Sequence, residues 1–180
     1  MKMGIKILLG LLSIIALLLI IALFLKKEYI IARALTINRP SAEVFNYIKY
    51  QKNQDYYSKW VMHDPELQKQ FSGTDGTVGF IYAWEGNKKA GKGEQEITSL
   101  TEGEEVNLEI RFEKPFKGIA HTSMSRERIS ENSTQVNWTM KGSNPYPMNL
   151  MNLFISGMLG KDLETSLFNL KSILENKKAF

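Results

Sequence analysis

The hydrophobic pattern changes character once along the chain. Residues 7–25 form an apolar run of 19 positions relieved only by Gly10 and Ser13. A helix of that length rises roughly 28 Å, close to the hydrocarbon thickness of a bilayer. It lacks the polar face of an amphipathic core helix. Lys6 and Lys26 flank it, where their stems can snorkel to the headgroups. A secretory signal has a shorter apolar region and a small-x-small cleavage site. This run ends Ala22-Leu23-Phe24-Leu25-Lys26-Lys27 and offers no such site. The pattern predicts a retained transmembrane helix over about residues 5–25, with residues 1–27 as a single-pass membrane anchor and residues 28–180 as one folded domain. The lysines on the two flanks nearly balance. The positive-inside rule leans towards a cytoplasmic N-terminus and an extracytoplasmic domain.

After the anchor the period becomes that of strands. Residues 26–38 predict a first strand, broken by Asn38-Arg39-Pro40-Ser41. Ser41 suits a helix N-cap, Glu43 suits the first turn, and Val44, Phe45 and Ile48 recur at helical spacing. Two short helices are therefore expected, over 41–50 and 52–59, the second ending at Trp60. Strands follow at 66–72, 78–85, 93–100, 105–112, 118–129 and 134–140, separated by Gly- and Asn-containing turns. Alternation puts Phe80, Tyr82 and Trp84 on one face. It groups Val106, Leu108, Ile110 and Phe112 against Asn107, Glu109 and Arg111, and aligns Val136, Trp138 and Met140. Beyond Asn144-Pro145-Tyr146-Pro147, residues 148–176 predict a long helix. Its stripe contains Met151, Phe154, Ile155, Met158, Leu159, Leu163, Leu167, Leu170 and Leu174. Gly157 and Gly160 weaken its first half. A sheet followed by one long helix is a two-layer α+β domain, and a sheet that curves around a helix can leave a ligand-sized gap.

Composition narrows the chemistry. At 180 residues, 43% hydrophobic and 23% charged, the chain is globular rather than disordered. It has no cysteine, which excludes disulfide scaffolds, thiolate catalysis and Cys-ligated metal centres. The two histidines, His63 and His121, stand 58 positions apart, so no metal or cofactor is expected. The net charge of +4 falls to +2 outside the apolar run, with 21 basic against 19 acidic residues from position 26 onwards. That balance argues against nucleic acid as a partner.

Several segments, in order, resemble the SRPBCC superfamily (START-like, helix-grip fold), and within it the polyketide cyclase/dehydrase and lipid transport group. They are Ile37-Asn38-Arg39-Pro40-Ser41-Ala42-Glu43-Val44-Phe45, Phe71-Ser72-Gly73-Thr74-Asp75-Gly76-Thr77-Val78-Gly79 and Tyr82-Ala83-Trp84-Glu85-Gly86-Asn87. Phe112-Glu113-Lys114-Pro115-Phe116, residues 134–142 and residues 161–171 continue the pattern. The resemblance implies a curved antiparallel sheet of about seven strands wrapped around the C-terminal helix, with a hydrophobic cavity between them. Members bind lipids, sterols, hormones or polyketides, and some are enzymes; the fold alone does not choose among these.

On this reading the cavity wall comprises Phe80, Tyr82, Trp84, Leu108, Ile110, Trp138 and Met140 from the sheet, and Met151, Phe154 and Met158 from the helix. Methionine and aromatic side chains suit an irregular apolar ligand, although such stripes are as often plain packing. Gln95 and Tyr82 are the polar candidates for fixing a ligand head. No catalytic residue is assigned. His121 falls on the opposite parity from Ala120, Thr122 and Met124, and His63 precedes Asp64-Pro65 in a turn. Ser156 lacks the strand and the preceding glycine of a hydrolase elbow. Lys88, Lys89 and Lys92 form a basic hairpin patch, ordinarily solvated surface, with headgroup contact as its other use. The sequence therefore favours a membrane-anchored domain that binds a hydrophobic small molecule or lipid. A cyclase- or dehydratase-like enzyme and a filled, partner-binding domain are the alternatives.

Overall fold

The computed structural model describes residues 2–176. Met1 and residues 177–180, which the expected anchor and domain include, lie outside the described residues. Helix α1 (Lys2–Phe24) carries the apolar run and is long and apolar enough to cross a membrane. Among its residues with described burial, only Ala22 is buried. The helix therefore meets the rest of the chain through its last turn.

The domain begins with β1 (Glu28–Ile37). Helix α2 (Ser41–Ile48) follows, then a 3-10 turn over Gln51–Asn53 and the short helices α3 (Gln54–Tyr57) and α4 (Lys59–Met62). Next come β2 (Gln68–Ser72), β3 (Ile81–Glu85), β4 (Lys92–Thr101), β5 (Glu105–Lys114), β6 (Gly118–Ser130) and β7 (Ser133–Ser143). A 3-10 turn at Met148–Met151 leads into α5 (Asn152–Asn176). The strands form one antiparallel seven-stranded sheet in the order β1-β7-β6-β5-β4-β3-β2. This is the α+β helix-grip architecture.

The alternation explains the layering. In β5 the buried positions are Val106, Leu108 and Ile110, and in β7 they are Thr134, Val136, Trp138 and Met140. The opposite parity faces water, where Arg111 is held at 2.7 Å by each of Glu94, Glu96 and Glu109. Register shifts between Ile97 and Ser99 and between Arg128 and Ser130 bend the sheet locally.

Helix α5 lies along β1. Its first residue, Asn152, bonds the carbonyls of Lys26 and Lys27. At its far end Glu175 accepts from the Asn38 amide at 2.7 Å, and the Leu174 carbonyl accepts from Arg39. The far half is solid core: Leu163, Leu167, Leu170 and Leu174 meet Ile37, Val44, Phe45, Ile48, Val106 and Val136.

Some boundaries differ from the sequence expectation. Strand β3 starts at Ile81 rather than position 78, because Gly79 takes φ +86° and Val78 is exposed. Helix α2 has Pro40 at its N-cap, with Ser41 already helical and making no cap. The second expected helix splits at Ser58, whose ψ of 118° is extended.

Candidate functional site

A cavity of about 250 Å³ lies between the sheet and the first half of α5. On the sheet side Tyr82, Trp84, Gln95, Leu108, Ile110, Trp138 and Met140 line it, six of them named from the sequence as wall and Gln95 as a polar candidate. Thr122 and Met124 of β6, Phe112 of β5 and Tyr29 of β1 complete that wall. Leu159 closes it from α5. The segment of α3 and α4 forms the third wall with Gln54, Ser58, Trp60, Val61 and His63.

That third wall is stapled to α5. Lys59 pairs with Asp162, and the Trp60 indole N–H donates to Asp162 Oδ2 at 3.1 Å. The Lys59 amide donates to Ser166 Oγ at 2.9 Å, and Asn169 donates to the Tyr57 carbonyl at 3.2 Å. Two short helices too small to be stable alone are thereby fixed against the long one.

The cavity's polar groups are few. Gln95 donates to Gln54 Oε1 at 3.3 Å, and Gln54 donates to Gln51 Oε1 at 2.6 Å. The Trp138 indole donates to Thr122 Oγ1 at 2.8 Å, and that hydroxyl donates to the Thr139 carbonyl. The Tyr82 hydroxyl donates to Asp55 Oδ1 at 2.7 Å, and Asp55 is paired with Lys69. Burial first, and then the Asp55 carboxylate, push the Tyr82 phenol well above its usual range. Tyr29 is raised by burial alone. Ser58 is different: its residue is 1% exposed and its Oγ has no hydrogen-bond partner among the described residues. A buried hydroxyl left unpaired is costly and calls for an explanation.

Four expected wall residues stand elsewhere. Phe80 is buried, but it packs in the solid core at the β3 entry, where its ring stacks on Phe71 at 6.2 Å. Met151, Phe154 and Met158 are exposed by 44%, 70% and 61%. Met151 belongs to the 3-10 turn before α5; successive α-helical residues turn by about 100°, which puts Phe154 and Met158 about 120° or more round α5 from Leu163 and Leu170. The apolar stripe was too broad to share one inward face, and the structure buries the Leu159–Leu163–Leu167–Leu170–Leu174 edge of it. His121 is exposed on the outer face of the sheet, opposite Lys141. His63 lies at the mouth of the cavity. Among the described residues no three His, Asp or Glu side chains cluster to hold a metal ion.

Sequence reasoning missed the third wall. Gln54 and Ser58 are polar and sit in short helices with no apolar period, so no pattern marked them as interior. Thr122, Met124 and Leu159 did carry a signal, since they occupy the buried parity of β6 and the inner edge of the α5 stripe.

No family model and no curated protein matches the sequence. Solved structures do. Norcoclaurine synthase from Thalictrum flavum, in complex with dopamine and hydroxybenzaldehyde, aligns with a TM-score of 0.66 at 10% identity, over 89% of this chain and 94% of that one. Protein CV1439 from Chromobacterium violaceum aligns at 0.57 and 14% identity, over 82% and 98%. Ara h 8.0201 aligns at 0.53 and 11% identity, over 79% and 98%. At these identities the likeness is one of fold.

Proposed function

We propose that this chain is a membrane-anchored binding domain for a hydrophobic small molecule or lipid, held between the sheet and α5. The carrying observation is the cavity itself. An apolar wall of Trp84, Leu108, Ile110, Trp138 and Met140 encloses about 250 Å³ beside a buried Ser58 hydroxyl that has no partner among the described residues. Burial of apolar ligand surface supplies the affinity at about 25 cal/mol per Å². Ser58 and Gln95 supply the polar contacts that orient the head. The volume lies just below the usual range for small-molecule pockets of roughly 300–1,000 Å³. It suits a single acyl chain or a compact ring system rather than a two-chain phospholipid. The structure of norcoclaurine synthase with two small aromatic molecules supports this scale of ligand. Helix α1 is read as the anchor, on the strength of its length and its unrelieved apolar surface.

All three tryptophans of the chain, Trp60, Trp84 and Trp138, line the cavity. Intrinsic fluorescence of the full-length protein in nanodiscs therefore reports occupancy directly. A dibrominated fatty acid should quench it saturably at one molecule per chain. Quenching that never saturates, or none, counts against the reading. An enzymatic role, as a cyclase or dehydratase in the same cavity, would draw on Tyr82. That phenol is held protonated with its one hydrogen already donated to Asp55, so towards a ligand it presents an acceptor oxygen and no free proton.

A further inference from the structure

The register of the sheet puts the cavity mouth and the exit of α1 at the same end of the domain. Glu28, the first residue of β1, faces Ser143 at the end of β7. Gly142 faces Ala120 near the start of β6, Gly118 faces Phe112, Lys114 faces Lys92, and Lys92 faces Glu85. The loop 86–91 and the loop 115–117 therefore leave the sheet at the end from which α1 departs, and cavity-lining Lys89, Ala90 and Pro115 sit on them, with Lys114 at the end of β5. The two loops touch. Gly91, at φ +67°, passes so close to the Lys114 carbonyl oxygen that a Cβ would press into it.

This end has a distinctive surface. Phe116 at the loop tip is 66% exposed, and all residues from 112 to 119 are exposed. Tyr146, Met148 and Phe154, which flank Asn149 and Asn152, the residues that bond the last carbonyls of α1 and its exit, are exposed as well. Lys27, Lys88, Lys89 and Lys117 are exposed and make no ion pair among the described residues. Glu28, Glu66, Glu85 and Glu113 are exposed at this end too, Glu85 and Glu113 being paired with Lys92; the opposite end carries Glu102, Glu104 and Glu131 together with Lys49, Arg126 and Arg128. Aromatic and methionine side chains interleaved with free lysines, next to a bilayer-length apolar helix, match the chemistry of an anionic lipid surface.

We infer that this end of the domain docks on the anionic surface of the bilayer in which α1 sits, with Phe116 entering the headgroup layer, so that the cavity mouth opens onto the lipid rather than onto bulk water. This rests on the reading of α1 as an anchor. It goes beyond that reading by assigning a second membrane contact, made by the domain itself, and by giving the ligand a route that avoids water.

The chain has no cysteine, so single labels are unambiguous. Nitroxides at Phe116→Cys, Lys88→Cys, Glu131→Cys and Leu12→Cys are compared in the full-length protein. The membranes are phosphatidylcholine vesicles with and without phosphatidylglycerol. Collision with membrane-soluble oxygen is measured against collision with a water-soluble nickel chelate. The expected result is an oxygen-dominated signal at Leu12, a shift towards oxygen at Phe116, a headgroup-level signal at Lys88 and a chelate-dominated signal at Glu131. The Phe116 shift should weaken severalfold without phosphatidylglycerol or in high salt. A chelate-dominated Phe116 with an oxygen-dominated Leu12 overturns the docking and leaves the anchor standing. A chelate-dominated Leu12 overturns the anchor and the docking with it. A Phe116 label shielded from both reagents, with spin–spin broadening, assigns the surface to a second copy and also overturns the proposal.

Discussion

Replacing Asn149 by alanine should loosen the domain from its anchor without unfolding it. Asn149 is 1% exposed, and its side-chain amide donates to the Ala22 carbonyl at 2.7 Å and the Leu25 carbonyl at 3.0 Å. These are the last carbonyls of α1 and its exit, which have no partner within the helix itself. They also form the negative end of its dipole, where an amide N–H is favourable. Each such bond is worth on the order of 1 kcal/mol net, so losing both costs about 2 kcal/mol. That is a change of about 30-fold in the ratio of clamped to free arrangements. Asn152, which donates to the carbonyls of Lys26 and Lys27 at 2.9 Å each, holds the exit further, and beyond it the Asn144 amide fixes Lys27 to the domain at 2.9 Å. The double variant should therefore hinge freely. Spin labels at Leu12→Cys and Glu131→Cys, in nanodiscs, give a distance distribution by double electron–electron resonance. It should be narrow in the parent, broadened in Asn149→Ala, and broadest when Asn152→Ala is added. The thermal midpoint of the domain should move little, because neither side chain packs in the Leu163–Leu174 core. A distribution equally narrow in all three proteins would refute the clamp.

Other consequences follow from the cavity and the core. Leu108→Phe adds bulk into open space, so it should change stability by less than ~1 kcal/mol, whereas Leu167→Phe in the solid half should cost ~1–3 kcal/mol by overpacking; denaturant midpoints compare them, and the first should also abolish quenching by the brominated fatty acid. Burial raises the Tyr57 phenol above its ordinary value. The folded state therefore favours the protonated phenol, and its contribution is full below the unfolded pKa of about 10 and is lost as pH rises beyond it. Tyr57→Phe should flatten that alkaline decline, read by unfolding at several pH values; an unchanged slope would assign the decline to other groups. Ser58→Ala removes an unpaired buried hydroxyl. Without ligand it should be neutral or mildly stabilising, and it should weaken a ligand that carries a polar head more than a purely apolar one, as a fluorescence titration would show.

The fold was legible because its strands obey one rule. Val106, Leu108 and Ile110 alternate with Asn107, Glu109 and Arg111, so their inward parity needed no structure to find, and the same holds for Trp138 and Met140. The helix was legible only in part. A stripe holding both Phe154 and Leu159 spans too much of the helical circumference to face one way, and periodicity alone does not say which edge the sheet will cover. The exposed edge, with Met151, Phe154 and Met158, belongs to the end of the helix that starts at the exit of α1. The cavity's third wall was illegible for a different reason. Ser58 and Gln54 are interior because Lys59, Trp60 and Asn169 tie short helices to α5 through long-range hydrogen bonds. No local pattern encodes those bonds. Which end of the cavity opens was equally hidden, since it depends on strand register rather than on strand identity.

The most direct test of the account is native mass spectrometry of the full-length protein released from nanodiscs, followed by organic extraction. The account predicts one apolar molecule of single-chain or compact-ring size per protein, lost in Leu108→Phe. A clean unliganded mass, with no uptake from a total lipid extract, would contradict it.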